Sequence, residues 1–208
     1  MPKRQPMSRA LLLTILLSIQ AAAADIATVV QQCEDCHGKN GVSDAADVPN
    51  IAGISAPVHG DFLLDYQEKT RPCRKSKFRH GDTARPETDM CAVAAKLSAT
   101  EIEAVANHFA KLPLVAAKQS FDPQKAAAGE KLHARDCAQC HTKGGRDPAD
   151  DASILGGQHL KYLQQALADF KGGERAQSKK MAEKLANGAM QISTPSPTIT
   201  PACNSAIA

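Results

Sequence analysis

Two pentapeptides of the form C-x-x-C-H constrain this chain more than any other feature: Cys33-Glu34-Asp35-Cys36-His37 and Cys137-Ala138-Gln139-Cys140-His141. A single C-x-x-C has other readings, as a redox-active disulfide or half of a zinc site. A thioredoxin-like setting needs a strand before the motif. The residues before the second copy, Lys125 to Arg135, read as helix instead. A zinc site needs further Cys or His at matching spacing in each half. Two C-x-x-C-H copies in an exported chain read as c-type haem attachment. The paired thiols add to the haem vinyl groups, and the adjacent histidine becomes the proximal iron ligand. The expectation is two covalently bound haem c groups, held by Cys33 and Cys36 with His37, and by Cys137 and Cys140 with His141.

The two motifs belong to a longer internal repeat with an offset of 104 residues. The same offset maps Lys39 on Lys143, Gly41 on Gly145, Gly53 on Gly157, Leu63 on Leu167, Asp65 on Asp169, Tyr66 on Phe170 and Arg71 on Arg175. Each half therefore carries one haem and the same supporting pieces. Residues 25–112 form the expected first domain, 113–122 a linker and 123–187 the second domain. A Ser/Thr/Pro-rich tail spans 188–208.

Export is read from the N-terminus. Lys3, Arg4 and Arg9 precede an apolar run from Ala10 to Ile19, and small residues follow before Asp25. This is the layout of a secretory signal peptide over residues 1–24, and the run is short for a membrane span. The expected destination is the periplasm, with no span after signal cleavage. The chain has 25 Lys+Arg against 22 Asp+Glu, and removing the three basic residues of the signal leaves 22 against 22. Charge thus offers no case for a nucleic-acid partner. Aromatic content is low, with no Trp, two Tyr and five Phe. Two small domains built mostly on Ala and Leu have thin cores, and a haem is a large apolar filler.

An electron-transfer haem takes a sixth ligand, and methionine opposite histidine raises its potential. Beyond the signal the methionines are Met90, Met181 and Met190. Met90 lies before Ser98-Ala99-Thr100-Glu101, a capping box that starts an amphipathic helix carrying Ile102, Val105, Ala106 and Phe109. Met181 holds the matching place in the second half. Met90 and Met181 are the favoured axial ligands, with Met190 as the alternative for the second site. Histidine ligation by His59, His80 or His159 is the other alternative; each reads more simply as a surface or loop histidine. From Arg71 to Met90 is 19 residues, but from Arg175 to Met181 only 6. The longer loop contains Cys73 and ends beside Cys91. In an oxidising compartment these two could pair as a disulfide, stay as free thiols, or leave Cys91 as a thiolate ligand.

No segment alternates as a strand. Helices fit residues 26–32, 125–135, 159–170 and 99–111, with Asp122-Pro123 as a start signal. The reading is an all-α chain of two small class I cytochrome c-like haem domains in tandem.

With these residues, the chain resembles the two-domain dihaem cytochromes c of bacterial periplasms. More specifically it is similar to the dihaem subunit of flavocytochrome c sulfide dehydrogenase. The stretches that carry the likeness are Cys33 to His37, Arg71-Pro72-Cys73-Arg74-Lys75, Arg79-His80-Gly81-Asp82, Arg85 to Cys91 and Gly144 to Asp151. The resemblance implies a partner flavoprotein subunit that oxidises sulfide at its FAD. Electrons would then pass singly through both haems to a soluble cytochrome c acceptor. One departure is the C-terminus: Pro195, Pro197 and Pro201 forbid a regular helix where the second half should end as the first does. The tail also holds an odd thiol, Cys203.

Overall fold

The computed structural model describes residues 26–187. The helix α1 covers 26–37 and runs through the first C-x-x-C-H. It is followed by α2 (Ala56–Gln67), α3 (Met90–Ala94) and α4 (Ala99–Ala110). The second half has α5 (Pro123–Leu132), the short turn α6 (Thr142–Gly145), α7 (Leu160–Gly172) and α8 (Lys179–Asn187). Between α5 and the second motif the chain adds a π-helical turn, His133–Cys137. Among the described residues the strand content is one isolated antiparallel bridge, Ser76 with Thr88.

Local chemistry explains most boundaries. The Ser98 side chain accepts from the Glu101 amide, and the Glu101 carboxylate accepts from the Ser98 amide. This satisfies orphan donors at the start of α4. Asp122 caps α5 by accepting from the Gln124 and Lys125 amides, with Pro123 in the first turn. Asp89 caps α3 through the Ala92 amide, which fixes Met90 as its first residue. The helix α7 ends at Gly173, whose left-handed φ of 74° suits glycine.

In the first half α2 packs against α4 and α3. The core gathers Val29, Val30, Ile51, Ile54, Val58, Leu63, Ile102, Val105 and Phe109, with Ile154 joining from the second half. Gly41 and Gly145 play the same part in the two halves. Each has a positive φ, 71° and 74°, and a Cβ there would come within 2.8 Å of Ile51 or Leu155. Their carbonyls accept paired amides, Ile51 and Ala52 in one half, Leu155 and Gly156 in the other.

The two halves are tied directly. The Asn50 amide donates to Gln158 Oε1 at 2.9 Å, and Gln158 Nε2 donates back to the Asn50 carbonyl. His159 Nε2 lies 3.0 Å from the Ser43 carbonyl. Arg74 makes a two-pronged ion pair with Asp169. The connecting strand of chain is held between the halves: Asn50 Nδ2 donates to the Val115 carbonyl, and the Ala117 amide to Gly157. Among the described residues no helix is long and apolar enough to cross a membrane. The tail 188–208, Met190 and the signal segment lie outside the described residues.

Candidate functional site

Each half holds its C-x-x-C-H histidine by the same backbone contact. His37 is buried, and its Nδ1 lies 2.8 Å from the Pro49 carbonyl. His141 Nδ1 lies 3.0 Å from the Ser153 carbonyl, also twelve residues further on. A carbonyl only accepts, so each Nδ1 carries the proton and each Nε2 keeps its lone pair for a metal. Burial pulls both imidazoles below the ordinary histidine range, which keeps them neutral and able to ligate.

The thiols beside them are unpaired: Cys33, Cys36 and Cys137 are partly buried and Cys140 is exposed. Burial pushes the Cys33 thiol up to about 12, with Cys36 adding to the effect. Burial also raises Cys36 and Cys137. Such thiols make poor thiolates for zinc or for disulfide exchange.

Cys33 and Met90 pack against the same apolar cluster, as does Phe62. Met90, the first residue of α3, thus lies on the same core as Cys33. Met181 lies half-buried in the first turn of α8, its amide donating to Ser178 Oγ. The same helix brings Lys184 close enough to Asp136 and Cys137 to affect both electrostatically. So α8 lies beside the second motif.

Cys73 and Cys91 are joined by a disulfide, with Cα atoms 5.5 Å apart. Asp89 lies close to these sulfurs, but both are bonded to each other and offer no thiolate to a metal. The bridged loop folds back over the first motif. The Arg79 and His80 amides both donate to the Asp35 carbonyl, and Arg85 pairs with the Asp35 carboxylate. Among the described residues the second half has no such loop, and Cys140 is exposed.

Two histidines correct the expectation of surface or loop positions. His59 is 5% exposed within α2, and His159 is 4% exposed at the start of α7. His80 sits in the loop, 3.5 Å from Asp44. His59 Nδ1 is buried without a partner, and burial with His37 nearby pulls this imidazole down to about 4. His133 Nε2 is likewise buried and unpartnered, near His141. A buried ring nitrogen near each proximal histidine is thus left without a hydrogen-bond partner. The donor set fits haem: a thiol pair, an oriented imidazole, an apolar lining and a thioether.

The cytochrome c family profile matches residues 23–113 and 126–207, one span for each motif. The chain belongs to the cytochrome c family. It is 29% identical to cytochrome c4 of Azotobacter vinelandii over 85% of this chain and 90% of that one. It is 27% identical to the thiosulfate dehydrogenase electron acceptor of Thiomonas intermedia (strain K12), over 84% and 79%. Reduced recombinant cytochrome c4 from Pseudomonas stutzeri superposes with a TM-score of 0.61 at 26% identity, covering 80% of this chain and 89% of that chain. As a member of this family with two cytochrome domains, the chain is a dihaem electron carrier with two covalently bound haem c groups.

In each cytochrome domain the bound haem supplies a reversible one-electron iron couple. The chain's own part would be to fix each imidazole by the Pro49 or Ser153 carbonyl and to supply the paired thiols. Sequence reasoning missed α2, whose Pro57 and Gly60 hide its helical pattern. It also missed the buried histidines. One apolar neighbour each, Val58 beside His59 and Leu160 beside His159, was the available signal.

Proposed function

We propose that this cytochrome is a periplasmic relay, carrying single electrons from a sulfide-oxidising flavoprotein partner to a soluble cytochrome c. Cys33 and Cys36 bind the first haem, with His37 and Met90 as axial ligands. Cys137 and Cys140 bind the second, with His141 and Met181. What supports the axial assignment is the proton bookkeeping at the two histidines, which leaves each Nε2 free. What supports the partner is the bridged loop Cys73–Cys91, the feature by which the chain resembles the sulfide dehydrogenase subunit. The loop shields the first motif while the second stays open, so the two ends of the relay offer different surfaces.

A second donor is favoured by a separate observation, the likeness to a thiosulfate dehydrogenase electron acceptor. The two readings share the role of electron acceptor and differ in the donor. The test is affinity capture of the tagged holoprotein from its native periplasm, with optical spectra before and after adding sulfide or thiosulfate. A stoichiometric flavin with sulfide-reducible haem supports the flavoprotein. Reduction by thiosulfate without flavin supports the second donor. Haem that answers to neither leaves a free carrier and overturns both.

A further inference from the structure

The disulfide Cys73–Cys91 closes the loop that ends at Met90, and its two sulfurs sit in unlike surroundings. Cys73 is exposed, whereas Cys91 is 6% exposed and belongs to the core. A small nucleophile therefore reaches the bond from the Cys73 side. The Asp89 carboxylate lies beside both sulfurs and would repel an anion, but Lys75 pairs with it at 2.7 Å. Both sulfurs also lie against the Arg71 carbonyl, at 3.8 and 3.9 Å. An opened bond thus finds an acceptor in place for a new thiol, so opening leaves no stranded buried donor.

The bond is the covalent tie at the N-terminal end of α3. That helix has five residues, too few to stand alone. Its C-terminal end is held separately, because Gln67 Nε2 donates to the Ala94 and Leu97 carbonyls at 2.8 and 2.9 Å. The middle of the loop is pinned to the first motif by the Arg79 and His80 amides and by Arg85, all on Asp35. With the bond open, the Met90 end keeps the Ser76–Thr88 bridge and the Lys75–Asp89 pair. The first is one isolated bridge and the second involves a lysine 62% exposed, so both are weak ties.

We propose that Cys73–Cys91 is a reducible latch on the first haem: a reduced-sulfur nucleophile opens it at Cys73, and Met90 then lets go of the iron. This rests on Met90 as the axial ligand of that haem, as proposed above. The attacking sulfur forms a bond to Cys73 Sγ as the bond to Cys91 Sγ breaks, and the Cys91 sulfur leaves with the electron pair and takes a proton. Hydrosulfide leaves Cys73 as a persulfide. A small thiol leaves a mixed disulfide, which a second thiol resolves to free Cys73 and an external disulfide. In both cases the incoming sulfur is oxidised and the protein disulfide is reduced. Methionine ligation raises a haem potential, so the opened first haem is a weaker electron acceptor when reduced sulfur accumulates. The second haem keeps its ligand, because no cysteine lies between Arg175 and Met181.

The test measures carbon monoxide binding to the ferrous holoprotein, which needs a vacated sixth position. Ascorbate reduces the haems and spares the disulfide, giving the closed control. Dithiothreitol or sodium hydrosulfide is then added, and iodoacetamide labelling with mass spectrometry counts the thiols and any persulfide. The opened protein is expected to bind one carbon monoxide per chain more than the control. Cys73→Ser with Cys91→Ser should do the same under ascorbate alone. A gain with both reagents names hydrosulfide as a competent opener, and a gain with dithiothreitol alone names a thiol. A bond that opens without any gain, or that resists both reagents, overturns the latch. Carbon monoxide on both haems of the closed control overturns the Met90 assignment itself, a separate failure.

Discussion

The two cytochrome domains share a framework and differ in filling. Gly41 and Gly145 turn the chain in the same way, and His37 and His141 are oriented by equivalent carbonyls. Yet among the described residues fourteen buried apolar side chains belong to the first domain and three, Ala126, Ile154 and Ala166, to the second. One of these three, Ile154, packs into the first domain's cluster. The lesson is that the repeat preserves what holds the haem, while the protein core around it has drifted. On this count the second domain should depend on its haem for apolar contact more than the first.

The largest test of this contrast removes the haem from one side. Cys137→Ala with Cys140→Ala should abolish the second domain's helicity, while Cys33→Ala with Cys36→Ala should leave residual protected helix in α2 and α4. Far-UV circular dichroism with limited proteolysis reads both, and equal losses would break the comparison. Next, Phe109→Ala removes a ring that is fully buried against His59 and His108. It should destabilise the first domain by roughly 3–5 kcal/mol in thermal or denaturant melts. The second domain's transition should stay in place.

The disulfide concerns the first domain only. Opening it with Cys73→Ser and Cys91→Ser frees a loop with a sequence separation of 18. The chain-entropy account puts the loss at about 3 kcal/mol. The methionine–iron charge-transfer band of the first haem should weaken with it. For the shared framework, Gly41→Ala and Gly145→Ala each force a side chain into a positive φ against a neighbour 2.8 Å away. Both should cost about 1–3 kcal/mol, and by similar amounts.

The smallest effect is at the α4 cap. The Ser98 amide and hydroxyl donate to Glu101 and hold its carboxyl below the ordinary value of 4.5. A depressed acid stabilises the fold above that value and loses the contribution as pH falls through its folded value. Glu101→Gln should therefore melt earlier than wild type at neutral pH, with the gap closing below about 4.5.

Much of this was legible in sequence because it rests on local chemistry. The capping box at Ser98 and Glu101, the Asp122-Pro123 start and the period of α7 each need only neighbours along the chain. The thiol and histidine spacing declared both haem sites for the same reason. What escaped was tertiary. Residues of α2 carry a weak apolar face and become helical by packing on α3 and α4. His159 is buried where its Nε2 donates to the Ser43 carbonyl of the other domain. The Asn50–Gln158 exchange spans 108 positions, and no local pattern announces it. The repeat did align Arg71 with Arg175, but their meeting around Tyr162 needed three dimensions.

The central claim is that two unequal haem domains work as a one-electron relay, and a spectroelectrochemical titration of the mature holoprotein tests it most directly. The account predicts two one-electron steps of equal amplitude with separate midpoints, both low-spin throughout. A single step, an amplitude worth one haem, or a high-spin signal at either iron would contradict it.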